Sequence, residues 1–213
     1  MRALCLAAVL LLSVANLHAQ CEDTLIGDEP FVTEVMNKDG SSLTLKVTRC
    51  ETEVSIKSGT TTKVLLKLQG GTGHSGFIDL NDDGRHEIDI VYGCGVVNCR
   101  HTIYAVEPRT YKSRKLLSFS GGNLEKIGDY FFATSRQGAG QYWAEGYKIS
   151  DFARLKVQAS PSFYVCDCYD ERTAQQVCRI PLAPQERNST FAKQIVKKFC
   201  FIPGTKVQYG WRP

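Results

Sequence analysis

Oxygen-bearing side chains crowd one short stretch, D-L-N-D-D-G-R-H-E-I-D-I, running from Asp79 to Ile90. Asp79, Asn81 and Asp83 stand at loop positions 1, 3 and 5, and Gly84 at 6 permits a sharp bend. Arg85 at 7 can present its backbone carbonyl, and Glu87 at 9 closes the set. Hard oxygens at alternate positions of a tight loop are what Ca²⁺ coordination asks for. Position 12 is Ile90 rather than Glu and both flanks read as strands, so this is not an EF-hand. Without a cation, Asp79, Asp83 and Glu87 repel one another, at about 1–4 kcal/mol per close pair depending on the dielectric. An ordinary polar turn would carry that repulsion for no gain. Extracellular calcium modules bind at ~10⁻⁴–10⁻³ M, and hundredfold saturation adds about 2.7 kcal/mol to folding. No general base or phosphate clamp accompanies the loop, so the expected role of the ion is a structural staple.

Other chemistry-like patterns are weaker. Gly71-Thr72-Gly73-His74-Ser75-Gly76 spells G-x-G-x-x-G, but the following Phe77-Ile78-Asp79-Leu80-Asn81 cannot open the helix that would hold a pyrophosphate. Ser75 lacks the second glycine of a nucleophile elbow, because Phe77 stands there. His86-Glu87 is not H-E-x-x-H, since Ile90 takes the place of the second histidine. The chain is therefore not expected to be an enzyme. Formal charge is +4, or +3 once Arg2 is removed (4 − 1), too small and scattered to argue for nucleic acid.

The first residues read as a secretory leader. Arg2 supplies a positive start, Leu4 to Val14 an apolar run and Ala19 a small residue before the cut, giving a signal peptide over 1–19. No other run is long enough for a spanning helix, so a periplasmic or secreted chain without a transmembrane segment is expected. Loss of Cys5 leaves eight cysteines, at 21, 50, 94, 99, 166, 168, 178 and 200. Their number suits an oxidising compartment, and the Gln20 before Cys21 does not suit a lipidation signal. Cys94 and Cys99, with His101 nearby, or Cys166 and Cys168, could be zinc ligands, but structural zinc prefers C-x2-C spacing, so disulfides are expected. Cys94–Cys99 is spaced for a local bridge, and the four later cysteines can pair among themselves; the sequence leaves the connectivity open.

The elements that must position the acidic loop are short β-branched runs with Gly, Asn, Asp or Pro between them. Phe31–Met36, Leu43–Val47, Glu53–Lys57, Thr62–Leu68, Gly76–Leu80, Ile88–Tyr92, His101–Val106, Lys115–Phe119, Asp129–Thr134, Tyr142–Ile149 and Phe152–Gln158 read as strands. Residues 20–160 thus form an antiparallel β domain with the calcium loop over 79–87. Pro161 opens a cysteine-rich appendage, 161–213, with one helix at about 190–200. Ser189 can cap that helix, and Phe191, Ile195, Val196 and Phe199 share one face.

The acidic loop, set between G-F-I and I-D-I-V, resembles the D-x-N-x-D-G-x-x-D calcium loop of FG-GAP and VCBS-type β-propeller blades. The longer succession is similar to a family of small exported bacterial proteins: F-I-D-L-N-D-D-G, I-Y-A-V-E-P-R-T-Y, the strand Asp129 to Ser135, and G-A-G-Q-Y-W-A-E-G-Y-K-I. Some of those are periplasmic immunity proteins that inhibit lysozyme-like effectors delivered by type IV secretion. The likeness spans residues 70–157 and implies a propeller-blade-like sheet with Asp79, Asn81, Asp83, the Arg85 carbonyl and Glu87 as calcium ligands. The tail after Pro161 departs from that pattern. The expected function is a periplasmic binding protein, in its sharpest form an inhibitor of a peptidoglycan hydrolase. A non-inhibitory envelope or surface module is the alternative, and a hydrolase with an unrecognised site comes third. Tyr142 and Trp143, beside Gly138-Ala139-Gly140, are the candidate partner-binding residues.

Overall fold

The computed structural model describes residues 30–48, 51–70, 72, 74–138, 141–170, 172–200 and 204–211. The expected leader, Cys21, Cys50, Ala139 and Gly140 lie outside them. The first eight strands are β1 (Phe31–Met36), β2 (Ser42–Val47), β3 (Glu51–Ser58), β4 (Thr61–Gln69), β5 (Gly76–Ile78), β6 (Glu87–Cys94), β7 (Cys99–Val106) and β8 (Ser113–Gly121). They form two four-stranded antiparallel meanders, β1 to β4 and β5 to β8. The third sheet contains β9 (Leu124–Ile127), β10 (Tyr130–Gly138), β11 (Gln141–Asp151), β12 (Lys156–Val157), β13 (Phe163–Asp170), β14 (Gln175–Ile180) and β15 (Lys206–Tyr209). Its order is β15-β14-β13-β11-β10-β9, with β12 also paired to β11. Every pairing is antiparallel except that of β14 with β15. The chain is thus mainly β, and none of the three sheets closes on itself.

Alternation of apolar and polar residues gives each sheet a face to bury. Leu45, Val47 and Val54 of the first sheet pack against Ile88 and Ile90 of the second. Ile103, Leu117 and Phe119 of the second pack against Phe131, Tyr147 and Ile149 of the third. The opposite face of the third sheet, with Phe132, Phe163, Val165 and Ile180, receives helix α1 (Thr190–Phe199) through Ala192, Ile195 and Phe199. Ser189 caps the helix, its Oγ accepting from the Ala192 N–H at 3.1 Å. The layers therefore follow chain order, with the helix over the last sheet. Among the described residues no helix is long and apolar enough to cross a membrane.

Two differences from the expected elements have physical causes. Phe152–Gln158 is a strand only at Lys156–Val157. The Asp151 carboxylate accepts from the Arg154 N–H at 3.1 Å and Leu155 adopts φ 46°, which turns the chain instead. The segment after Pro161 is joined to the body by backbone pairing, since Tyr142 to Gly146 of β11 stand opposite Asp167 to Phe163 of β13. Three sulfur pairs form, and none of them crosses from the body to this segment: Cys94–Cys99 lies in the body, and Cys166–Cys168 and Cys178–Cys200 lie within the segment. Cys178–Cys200 fastens the end of α1 to β14. The cysteines at 94 and 99 meet each other rather than forming a cage with His101, whose Nδ1 instead lies 2.9 Å from Asp89 Oδ2.

Candidate functional site

The acidic loop joins β5 to β6, the two strands that its flanks predict. Gly76 begins a strand, so the glycine-rich stretch before it opens no helix. Asp79 gathers the bend: its two carboxylate oxygens accept from the Asp83 N–H at 3.2 Å and the Gly84 N–H at 2.9 Å. Asp83 accepts from the Arg85 N–H at 2.8 Å and from the Asn81 amide at 3.0 Å. Glu87, 4% exposed, accepts from the Leu80 N–H at 2.9 Å across the base of the loop. Gly84 takes φ 82°, where glycine alone is unstrained. A Cβ there would come within 2.8 Å of the Lys38 Cβ.

That approach reflects a joint with the first sheet. The Lys38 N–H donates to the Gly84 carbonyl at 2.7 Å, and the His86 N–H donates to Asn37 Oδ1 at 3.0 Å. The Arg85 guanidinium meets Asp39 at 2.9 Å. The β1–β2 turn thereby grips the calcium-like loop from outside. From the other side the Asn81 amide reaches the Phe152 carbonyl at 3.4 Å, in the turn between β11 and β12.

The electrostatics of the loop are unfavourable as they stand. Burial pushes the Glu87 carboxyl up to about 8, and the neighbouring charges of Asp83 and Asp79 push in the same direction, against the Leu80 hydrogen bond. Asn81 Oδ1 is buried with no hydrogen-bond partner, an arrangement that costs ~1–3 kcal/mol unless something polar or positive reaches it. Asp79, Asn81, Asp83 and Glu87 are thus brought into one loop, with the Arg85 side chain turned away to Asp39. The carboxylates are occupied by backbone N–H groups, and among the described residues no three His, Cys, Asp or Glu side chains form a ready-made ligand cluster. The donor set is oxygen-only and carries an orphaned buried oxygen, which fits a hard cation such as Ca²⁺.

A cleft of ≈500 Å³ lies beside the loop, lined by Asp83, Glu87 and Glu107, by Arg85, Arg114, Arg154 and Lys156, and by apolar Val106, Pro108 and Leu155. Its lining therefore carries charges of both signs. Tyr142 and Trp143 are adjacent on β11 and project to opposite faces of the sheet. Trp143 packs edge-on against Trp211 at 5.7 Å, and the Arg136 guanidinium sits 5.7 Å from the Tyr142 ring. They do not form one aromatic patch.

Two features escape sequence reasoning. His101 is buried, stacked on Phe119 with centroids 4.7 Å apart and paired with Asp89; their register across β6 and β7 was the available signal. The other is the tip Gly95-Val96-Val97-Asn98, held between Cys94 and Cys99. No protein family, no curated protein and no solved structure matches this chain.

Proposed function

We propose that the chain is an exported binding protein whose propeller-blade-like sheets are stapled by one calcium ion, and that it inhibits a peptidoglycan hydrolase of the lysozyme class. Asp79, Asn81, Asp83, the Arg85 carbonyl and Glu87 would hold the ion. Calcium would supply the positive charge that offsets three carboxylates in one bend. The residues themselves close the bend, bury Glu87 under Leu80 and connect the loop to the β1–β2 turn. The reading rests chiefly on two buried polar groups, Asn81 Oδ1, which has no hydrogen-bond partner, and the Glu87 carboxyl, which burial and the neighbouring Asp83 and Asp79 push up. The two four-stranded meanders packed face to face support the blade-like part of it. No covalent chemistry is assigned to the chain; the sheets act as a rigid support for a surface that occupies the enzyme.

The experiment adds the purified protein to lysozyme digesting native murein. Slower lysis in proportion to added protein supports inhibition. Unchanged lysis together with retention on murein turns the assignment to a non-inhibitory envelope module, and lysis by the protein alone turns it to a hydrolase.

A further inference from the structure

We infer that the disulfide-clipped tip of the β6–β7 hairpin docks the protein on an anionic phospholipid surface. Val96 is 102% exposed and Val97 51% exposed, at the end of a rigid projection. Cys94 and Cys99 stand opposite each other in register and are bridged, and the Gly95 N–H donates to the Asn98 carbonyl at 2.8 Å. Asn98 is itself clamped to the third sheet. Its amide donates to the Arg136 carbonyl at 2.8 Å, and its Oδ1 accepts from the Arg136 N–H at 2.9 Å. A tip so tied cannot fold its valines back under the sheet, so their exposure is built in.

Three arginines stand at the end of the molecule that carries the tip, with Glu171 next to Arg172 in sequence. The clamp through Asn98 places the β10–β11 turn at the same end of the molecule, and antiparallel pairing of β11 with β13 puts the β13–β14 turn there too. These elements contribute exposed Arg100, Arg136 and Arg172, none of them ion-paired among the described residues. The carboxylate of Asp170 at this end is already held by Arg179 at 2.8 Å. Tyr169, 47% exposed, adds an amphipathic ring of the kind that settles at a membrane–water boundary.

Depth favours lipid over a protein cleft. Strands rise about 3.3 Å per residue, so Arg100 lies roughly 10 Å behind Val97, and Arg136 beside Asn98 lies closer. The headgroup layer is roughly 5–8 Å deep on each side of the hydrocarbon. Valines at the acyl boundary would thus bring the arginines to the phosphates, which attract cations within a Debye length. Protein hot spots, by contrast, are enriched in Trp, Tyr and Arg and poor in Val. This assignment does not depend on calcium or on inhibition of a hydrolase.

Cosedimentation of the full chain with vesicles tests it, using equal parts phosphatidylglycerol and phosphatidylcholine, or phosphatidylcholine alone. Binding is expected to the anionic vesicles, falling when salt is raised from ~0.1 M to ~1 M. V96D/V97D should weaken it at least about tenfold, R100E/R172E should weaken it and remove the salt dependence, and V96W should strengthen it. Val96, Arg100 and Arg172 are in solvent and Val97 is about half exposed, so melting curves should change little. Wild-type protein that ignores anionic vesicles, or V96D/V97D that binds them equally well, overturns the proposal. Vesicle binding that is absent while V96D/V97D abolishes hydrolase inhibition overturns it in favour of a protein partner.

Discussion

Glu87 is the side chain whose state depends most on whether a cation is present. The protein's own groups raise its carboxyl to about 8 from an ordinary 4.5, chiefly by burial. A carboxyl that holds its proton more tightly when folded adds stability below its unfolded value, and that stability is lost as pH rises through the folded one. In chelator the protein should therefore lose on the order of 2–4 kcal/mol between about pH 4.5 and 8. Urea denaturation across that range checks the slope, which Glu87→Gln should flatten. Saturating calcium should abolish the decline, because it favours the ionised carboxylate. At fixed neutral pH, EGTA should lower the melting temperature of the wild type and leave Asp83→Ala unmoved; coincident wild-type curves would reject the metal. The loop was legible because Asp79, Asn81, Asp83, Gly84 and Glu87 repeat at the spacing a cation needs. The orphaned Asn81 oxygen and the pairing of Arg85 with Asp39 were not, since both depend on residues distant in sequence.

At the scale of elements, the second sheet meets the third where β8 ends. Gly121 takes φ 156°, and a Cβ there would collide with the Thr134 carbonyl oxygen of β10. Gly122 adjoins it and donates its N–H to that same oxygen at 2.7 Å. Gly121→Ala should consequently cost about 1–3 kcal/mol, read as a fall in the urea midpoint. Helix α1 is attached differently. Its Ala192, Ile195 and Phe199 are buried and the Cys178–Cys200 bridge spans 22 residues. Replacing both cysteines by serine should remove about 3 kcal/mol, and thermal melting should show it. The helix was readable from Ser189 and the spacing of Ile195 and Phe199, which are local signals. Strands β13 to β15 were not, because F-Y-V-C-D-C-Y-D advertises cysteines more loudly than alternation. Their partners, moreover, lie in β11 and beyond the helix.

Across the whole molecule the layers are coupled unevenly. Among the described residues the acidic loop touches the first sheet through four polar contacts, two to Asn37 and one each to Lys38 and Asp39, and the third through one hydrogen bond from Asn81 and the packing of buried Leu80. Asn37 and Ser41 are buried in the turn that grips it, where the Asn37 amide donates to Ser41 Oγ at 3.1 Å. Loss of a cation should accordingly loosen the first two sheets before the third, whose outer face is sealed by α1 and the Cys178–Cys200 bridge. Local openings of this kind expose amides in contiguous units. Hydrogen exchange in EGTA should therefore show faster exchange over residues 79–87 and, together with them, over 37–41, while α1 and β14 keep their protection. Asn37→Ala should separate the two segments, so that chelation then affects 79–87 but leaves 37–41 at one already elevated rate. Equal acceleration in α1 would mean that the ion holds the entire stack, and unchanged exchange in 37–41 would mean that the joint between the first two sheets transmits nothing.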